Sequence, residues 1–521
     1  MKNLLKYTLI TSLVAGGTAC TNLDEELKGS LTESITIQNP GFGKATNVNK
    51  ATPTDGLGGA FTVLLNGTAT NGGFFALQEG GTDEAVITQK GGDWYDGGLY
   101  IKMHHHEYSP QTWSINGAWT DANNGVFQCN SLIESVGKDD KLSDAQKTAR
   151  IAQLRTLRAY YFWRLIDTFG NIKLYTIPNE DVKQSTRAEA YAFIESELIA
   201  ALPDLPSSKQ EYGRLNKSGA NALLARMYLN AQVYTGTPQW QKAIDAADEV
   251  INSGLYDATG SYKAVFSPDN VENPEHIFVA PFDEATGAGA TWAQMTLHYP
   301  SQLTFKLSEQ PWNGFATLED FYNSYEDGDL RKANNFIVGP QVDTEGNPIL
   351  DLAYDKADLD GPAINYTPKI NELFPNSSRQ AGARFGKFSF KQFQGNNMDN
   401  DFPLLRYGEV LLNKAEAIAR LHNNFSDGDA LALVNVLRTR AGVATFTSMT
   451  EGELLAERGR ELFVEALRRT DLIRFGHYQN AWWEKSAESG DHTNLFPIPI
   501  EQMQLNNSDK VKFNLTQNPG Y

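Results

Sequence analysis

Cysteine is nearly absent from the chain. Two, Cys20 and Cys129, stand among 521 residues, which excludes a disulfide framework and any all-cysteine metal cluster. Positive charge is also in deficit: 45 Lys and Arg against 63 Asp and Glu leave a net charge of −18. Such a surface repels phosphate backbones and argues against nucleic acid as a ligand. Beyond the N-terminus no apolar run reaches the roughly 18 residues that a membrane span requires. Signatures of common chemistries are missing too: there is no Gly-x-Ser-x-Gly elbow, no Walker loop and no His-Glu-x-x-His. What the chain has in quantity is aromatic residues, 9 Trp, 21 Tyr and 27 Phe. With 41% hydrophobic and 21% charged residues, it has a globular composition and length enough for two or three lobes.

The N-terminus reads as a targeting segment. Lys2 and Lys6 precede a short apolar stretch, 9–15, and small residues then lead to Cys20. This predicts a signal peptide over 1–19, cleavage before Cys20 and acylation of that residue. Residues 20–37 would form a lipidated tether, made acidic by Asp24, Glu25 and Glu26.

The mature chain divides by pattern. Residues 38–142 form a loop-rich segment: 38–100 hold many Gly, Asn and Thr, the run from Gly91 to Gly98 is a turn cluster with Trp94 and Tyr95 at its centre, and a helical run covers 119–133. Over 143–254 the period is helical. Ser143 with Gln146 and Thr186 with Glu189 form capping boxes, and two helices over about 218–233 and 240–251 alternate large and small residues like a degenerate tetratricopeptide repeat. Residues 255–400 lose that pattern, as a binding lobe does. Helices return over 401–521, at 404–421, at 427–441 and from Thr450 to near Gly476, followed by a Pro- and Asn-rich tail.

The last third carries ordered motifs. They include Phe402-Pro403-Leu404-Leu405-Arg406-Tyr407-Gly408-Glu409-Val410, Asn413-Lys414-Ala415-Glu416-Ala417 and Val436-Leu437-Arg438-Thr439-Arg440-Ala441-Gly442. Glu457-Arg458-Gly459-Arg460-Glu461-Leu462 and Arg468-Arg469-Thr470-Asp471-Leu472-Ile473-Arg474 follow, and the chain closes on Gln517-Asn518-Pro519-Gly520-Tyr521. Together with Leu157-Arg158-Ala159-Tyr160-Tyr161-Phe162 upstream, these resemble the SusD/RagB family. The resemblance implies a mainly α fold, a right-handed bundle of tetratricopeptide-like helix pairs carrying a loop-rich ligand-binding lobe. It implies a surface lipoprotein of the outer membrane that captures nutrients, usually glycans, for a SusC-like TonB-dependent transporter, with no cofactor and no catalysis. A peptide-capturing RagB-type protein and a glycan hydrolase are the alternatives, but nothing in the sequence selects a carboxylate pair at glycosidase spacing.

Charges at helical spacing in these motifs, Arg406, Glu409, Glu416, Arg458, Glu461 and Arg468, read as bonds across packed helices. His104-His105-His106, taken as a strand, would point to opposite faces and reads as structural rather than metal-binding. Asp343-Thr344-Glu345-Gly346-Asn347 alternates oxygen ligands but lacks the terminal bidentate Glu of a calcium loop. The candidates for binding are aromatic. Sugar rings stack their C–H faces on Trp and Tyr while polar neighbours bond the hydroxyls. Trp94 and Tyr95 beside Asp93, Trp292 among small residues, and Trp312 with Asn313 are therefore the expected site. The net charge favours a neutral glucan. Trp119, Trp163, Trp240, Trp482 and Trp483 are expected to pack in the interior.

Overall fold

The computed structural model describes residues 56–286, 289–351 and 361–521; the signal peptide, Cys20, the acidic tether and residues 38–55 lie outside them. Helices form where the sequence places caps. The Ser143 hydroxyl accepts the Gln146 N–H while the Gln146 side chain accepts the Ser143 N–H, opening the helix Asp144–Phe169. Thr186 with Glu189 opens Arg187–Ala201, and Thr450 with Glu453 opens Glu451–Leu462, in the same way. Neighbouring helices pack in succession: Trp113–Lys138 on Asp144–Phe169, which packs on Arg187–Ala201, and Lys217–Leu229 on Trp240–Asn252, which packs on Tyr407–Leu421 and through it on Gly428–Arg440. At Gly125 a Cβ would lie 2.4 Å from the Tyr161 ring, so only glycine allows the first pair to approach as it does.

The motif charges form a buried ladder between these helices. Arg406 binds Glu275, Glu461 and Glu465; Arg226 binds Glu409; Arg331 binds Asp329, Glu457 and Glu461. Arg474 and Arg420 converge on Glu416, both at 2.7 Å. Burial works against the Glu416 carboxylate, but Arg474, Arg420 and Arg458 outweigh it and hold its pKa far below the usual range.

Three elements differ from the sequence reading. Residues Phe402–Arg406 are a strand, paired antiparallel with His276–Ala280, and the helix starts only at Tyr407. Buried on both faces, that strand has no alternation by which to tell it from a helix. The helix read from Thr450 to near Gly476 breaks into Glu451–Leu462 and Arg468–Arg474, with Val464 and Ala466 in left-handed backbone. The N–H groups freed there are taken by carboxylates: Val464 donates to Glu84 and Leu467 to Glu79. Residues 56–105 hold more helix than their loop-like composition suggests, in Gly58–Thr62, Gly73–Glu79 and Leu99–His105, whereas the helical run expected over 119–133 lies within Trp113–Lys138. The Gly73–Glu79 turn is buried on every side and so shows no amphipathic period.

Candidate ligand-binding site

A short antiparallel pair, Ala85–Ile87 with Phe315–Thr317, sets the site. Ile87 lies opposite Phe315, so the chain leaving the first strand and the chain entering the second run side by side. One carries Asp93 and Trp94, the other Trp312. Between residues 90 and 98 the backbone turns sharply, with Gly91, Trp94, Asp96, Gly97 and Gly98 all at positive φ and a bridge between Lys90 and Asp93. The Trp94 indole N–H donates to the Trp312 carbonyl at 2.6 Å, and its ring meets Tyr100 edge-on at 5.5 Å. Gly314 lies beneath: a Cβ there would come within 2.7 Å of the Trp94 ring. Trp312 is fixed in turn by its N–H, which donates to the Gln294 carbonyl at 2.7 Å.

The result is an open cleft of about 520 Å³ lined by Asn71, Asp93, Trp94, Asp96, Tyr299 and the segment 310–312. Trp312 keeps 38% of its surface exposed. The Tyr299 hydroxyl donates to the Asp93 carboxylate, and the Asn71 amide donates to the Tyr100 hydroxyl at 2.9 Å. Among the described residues no Lys or Arg lines the cleft. Behind it the buried Lys90 ammonium donates to the carbonyls of Thr88 and Gly314. Burial, reinforced by Arg384 and opposed by Asp93, lowers its pKa well below the usual lysine range. Aromatic surface flanked by carboxylates and amides, with no cation, suits an uncharged polyhydroxyl ligand and disfavours an anion.

Of the expected site residues, the structure brings Asp93, Trp94 and Trp312 together. Tyr95, 54% exposed, stands on the same turn but not in the cleft wall. Trp292 and Asn313 are corrections. Trp292 is 1% exposed, stacked at 4.5 Å on Phe388 and in a T-shaped contact with Phe75 at 4.9 Å, so it is closed off in the core. The small residues around it serve close packing: a Cβ on Gly289 would fall 2.3 Å from Asn397. Asn313 is fully buried at φ 60°, with its N–H donated to the Leu297 carbonyl. Asparagine suits that left-handed backbone, and its buried side chain does not line the cleft. Asn71 and Tyr299 were missed. Tyr299 had one local signal, an aromatic residue before a proline in the irregular lobe.

The histidines lie at the C-terminal end of the helix Leu99–His105, not on a strand. Ring nitrogens of His104, His105 and His106 bond the carbonyls of Trp483, Glu484 and Gly81 at 2.7, 3.0 and 2.8 Å, two of these in the C-terminal segment. Burial lowers His104 to about 4 and His106 to about 3. The Asp343 carboxylate is taken up by the N–H groups of Glu345 and Asn347. Trp119 and Trp163 are buried as expected, whereas Trp240, Trp482 and Trp483 are only half-buried, the first and last against core clusters and Trp482 against His104.

Comparison with known proteins agrees with this architecture. A model described as "SusD family" matches residues 365–521, and one described as "Starch-binding associating with outer membrane" matches 77–229. Between them they span more than half of the chain. The chain belongs to the SusD/RagB family. Starch-binding protein SusD of Bacteroides thetaiotaomicron is 26% identical over 100% of this chain and 99% of its own length. A SusD superfamily protein from Parabacteroides distasonis superposes with a TM-score of 0.72 at 21% identity, covering 89% of this chain and 98% of that one. Surface glycan-binding protein A from Bacteroides thetaiotaomicron, solved in complex with laminarihexaose, gives 0.69 at 20% identity over the same shares of the two chains. The family motifs at the C-terminus coincide with the buried ion ladder, so they record the fold rather than the ligand. Among the described residues no helix is long and apolar enough to cross a membrane.

Proposed function

We propose that this protein is a surface glycan-binding lipoprotein that holds a neutral glucan in the Trp94–Trp312 cleft and passes it to a SusC-like TonB-dependent transporter, without chemical turnover. The observation that carries the reading is the fixed aromatic pair. The indole N–H of Trp94 is bonded to the Trp312 backbone across 218 residues of sequence, and polar groups of Asn71, Asp93, Asp96 and Tyr299 stand around the two rings. Stacking supplies affinity to the apolar faces of sugar rings, while carboxylates and amides orient the hydroxyls. Starch- and laminarihexaose-binding relatives support a glucan ligand. Anchoring through acylated Cys20 and the acidic tether completes the surface role.

Calorimetry with soluble starch and laminarin oligosaccharides tests this. Trp94→Ala and Trp312→Ala should each weaken binding by about tenfold to a hundredfold while the melting temperature holds. Trp292→Ala is the control, expected to cost about 3–5 kcal/mol of stability as a core deletion. Glucan affinity that survives both cleft substitutions would move the site elsewhere.

A further inference from the structure

A second cavity, of about 600 Å³, lies where the irregular lobe meets the C-terminal helices, and its lining is the chemical opposite of the cleft. Four aromatic rings line it: Tyr262, Phe305, Phe336 and Phe390. Phe336 and Tyr262 are buried, the first wedged among Tyr322, Tyr325 and Phe463 at 5.0–5.1 Å, the second with its hydroxyl donated to the Glu461 carbonyl at 3.1 Å. Phe305 and Phe390, half-buried, form the outer wall and meet edge-to-face at 5.0 Å. Leu330, 61% exposed, makes the lip.

The charged groups are of one sign. In a chain of net charge −18, no Asp or Glu among the described residues lines this cavity, whereas Lys263 and Arg440 do. Arg440 spends its two terminal nitrogens on Glu275 and Glu461, but its Nε, like Nδ2 of the neighbouring Asn334, has no acceptor among the described residues. The Lys263 side chain is exposed. Asp93 and Asp96 give the glucan cleft carboxylates and no cation; this cavity has cations and no carboxylate.

We propose that this cavity is a separate binding site for a small aromatic carboxylate, its ring among Phe305, Phe336 and Phe390 and its carboxylate toward Lys263. The volume lies in the range of small-ligand pockets, which are mostly apolar with a few placed polar groups. Edge-to-face contacts favour a planar ring over an alkyl chain, and an ammonium with surrounding donors favours an anionic head over a neutral one. The proposal is independent of the glucan reading, because the two cavities share no lining residue.

The test uses the full chain and trans-cinnamate as the probe, with cinnamamide and octanoate as comparisons, by calorimetry. Saturable binding of one cinnamate per chain is expected, with cinnamamide and octanoate each weaker by about tenfold. Ala333→Trp, at an exposed lining position, should abolish it by filling the cavity. Lys263→Glu, at an exposed position, should weaken it by at least about tenfold through charge reversal. Trp312→Ala should leave it unchanged. No saturable binding, or cinnamamide or octanoate binding as tightly as cinnamate, overturns the proposal. So does binding that survives both Ala333→Trp and Lys263→Glu, or that is lost with Trp312→Ala.

Discussion

Glu84→Gln should remove the part of the pH dependence of stability that Glu84 contributes between about pH 5 and pH 8. Glu79 and Glu84 are 0% and 1% exposed, and each accepts one backbone N–H from the break between the C-terminal helices, at 3.2 and 2.9 Å. Burial first, then the adjacent Glu84 carboxyl, raises Glu79 well above the ordinary range. Burial pushes Glu84 up to about 7, against the opposing pull of Glu79 and Arg468. A carboxyl whose folded pKa is raised keeps, in the folded state, a proton that the unfolded chain has already lost. Its stabilising effect is complete below the unfolded pKa and is lost as pH rises through the folded one. Moving Glu84 from 4.5 to about 7 corresponds to about 3 kcal/mol.

Other groups titrate nearby. His104 and His106, lowered by burial to about 4 and about 3, act in the opposite sense. Their contribution is present above the unfolded histidine pKa of about 6.5 and falls as pH drops below it. Glu416, Glu457 and Glu461, all lowered by arginines that outweigh burial, lose their contribution only below the ordinary carboxylate range. The assay is therefore a difference. Urea-unfolding free energies of wild type and Glu84→Gln are measured at intervals from about pH 5 to about pH 8, where the terms common to both proteins cancel. The stability of the variant relative to wild type should grow by about 3 kcal/mol over that range. A difference that stays flat with pH refutes the raised pKa assigned to Glu84.

Three more perturbations separate frame, site and anchor. Glu416→Gln would leave Arg420, Arg458 and Arg474 around a lost carboxylate, and chemical denaturation should show a loss of about 3–5 kcal/mol. Gly314→Ala would put a methyl 2.5 Å from the Met295 carbonyl and 2.7 Å from the Trp94 ring; by calorimetry, glucan affinity should fall about as far as in Trp94→Ala, roughly tenfold or more. Cys20→Ala should release the protein from the membrane fraction into the soluble one, because stable anchoring needs more than one acyl chain; immunoblotting of the fractions reads the outcome.

Much of the frame was legible because its determinants are local. Ser143, Thr186 and Thr450 each sit three residues before their Gln or Glu partner, and all three helices begin there. Charges at Arg406, Glu416, Arg458 and Glu461 were readable as structural from their spacing alone. The Glu451–Leu462 break was not, since the carboxylates that cap its loose N–H groups come from residues 380 and 388 positions away.

The site was half legible for the same reason. Aromatic residues in small-residue loops mark both Trp312 and Trp292, and local composition does not distinguish a ring left in the open from one that the chain folds over. The distinction is made elsewhere. Phe388 stacks on Trp292 and Phe75 meets it at a steep angle, leaving it 1% exposed, whereas Trp94 meets the Trp312 backbone with its indole edge and leaves the Trp312 ring partly exposed. Phe75 also packs edge-on against Phe315 at 5.9 Å, in the strand that follows Gly314. It lies in the same short helix that ends at Glu79. A single buried turn thus touches the carboxyl pair, the core tryptophan and the strand that sets the cleft. A platform built from loops can stay rigid when the elements beneath those loops are held in this way.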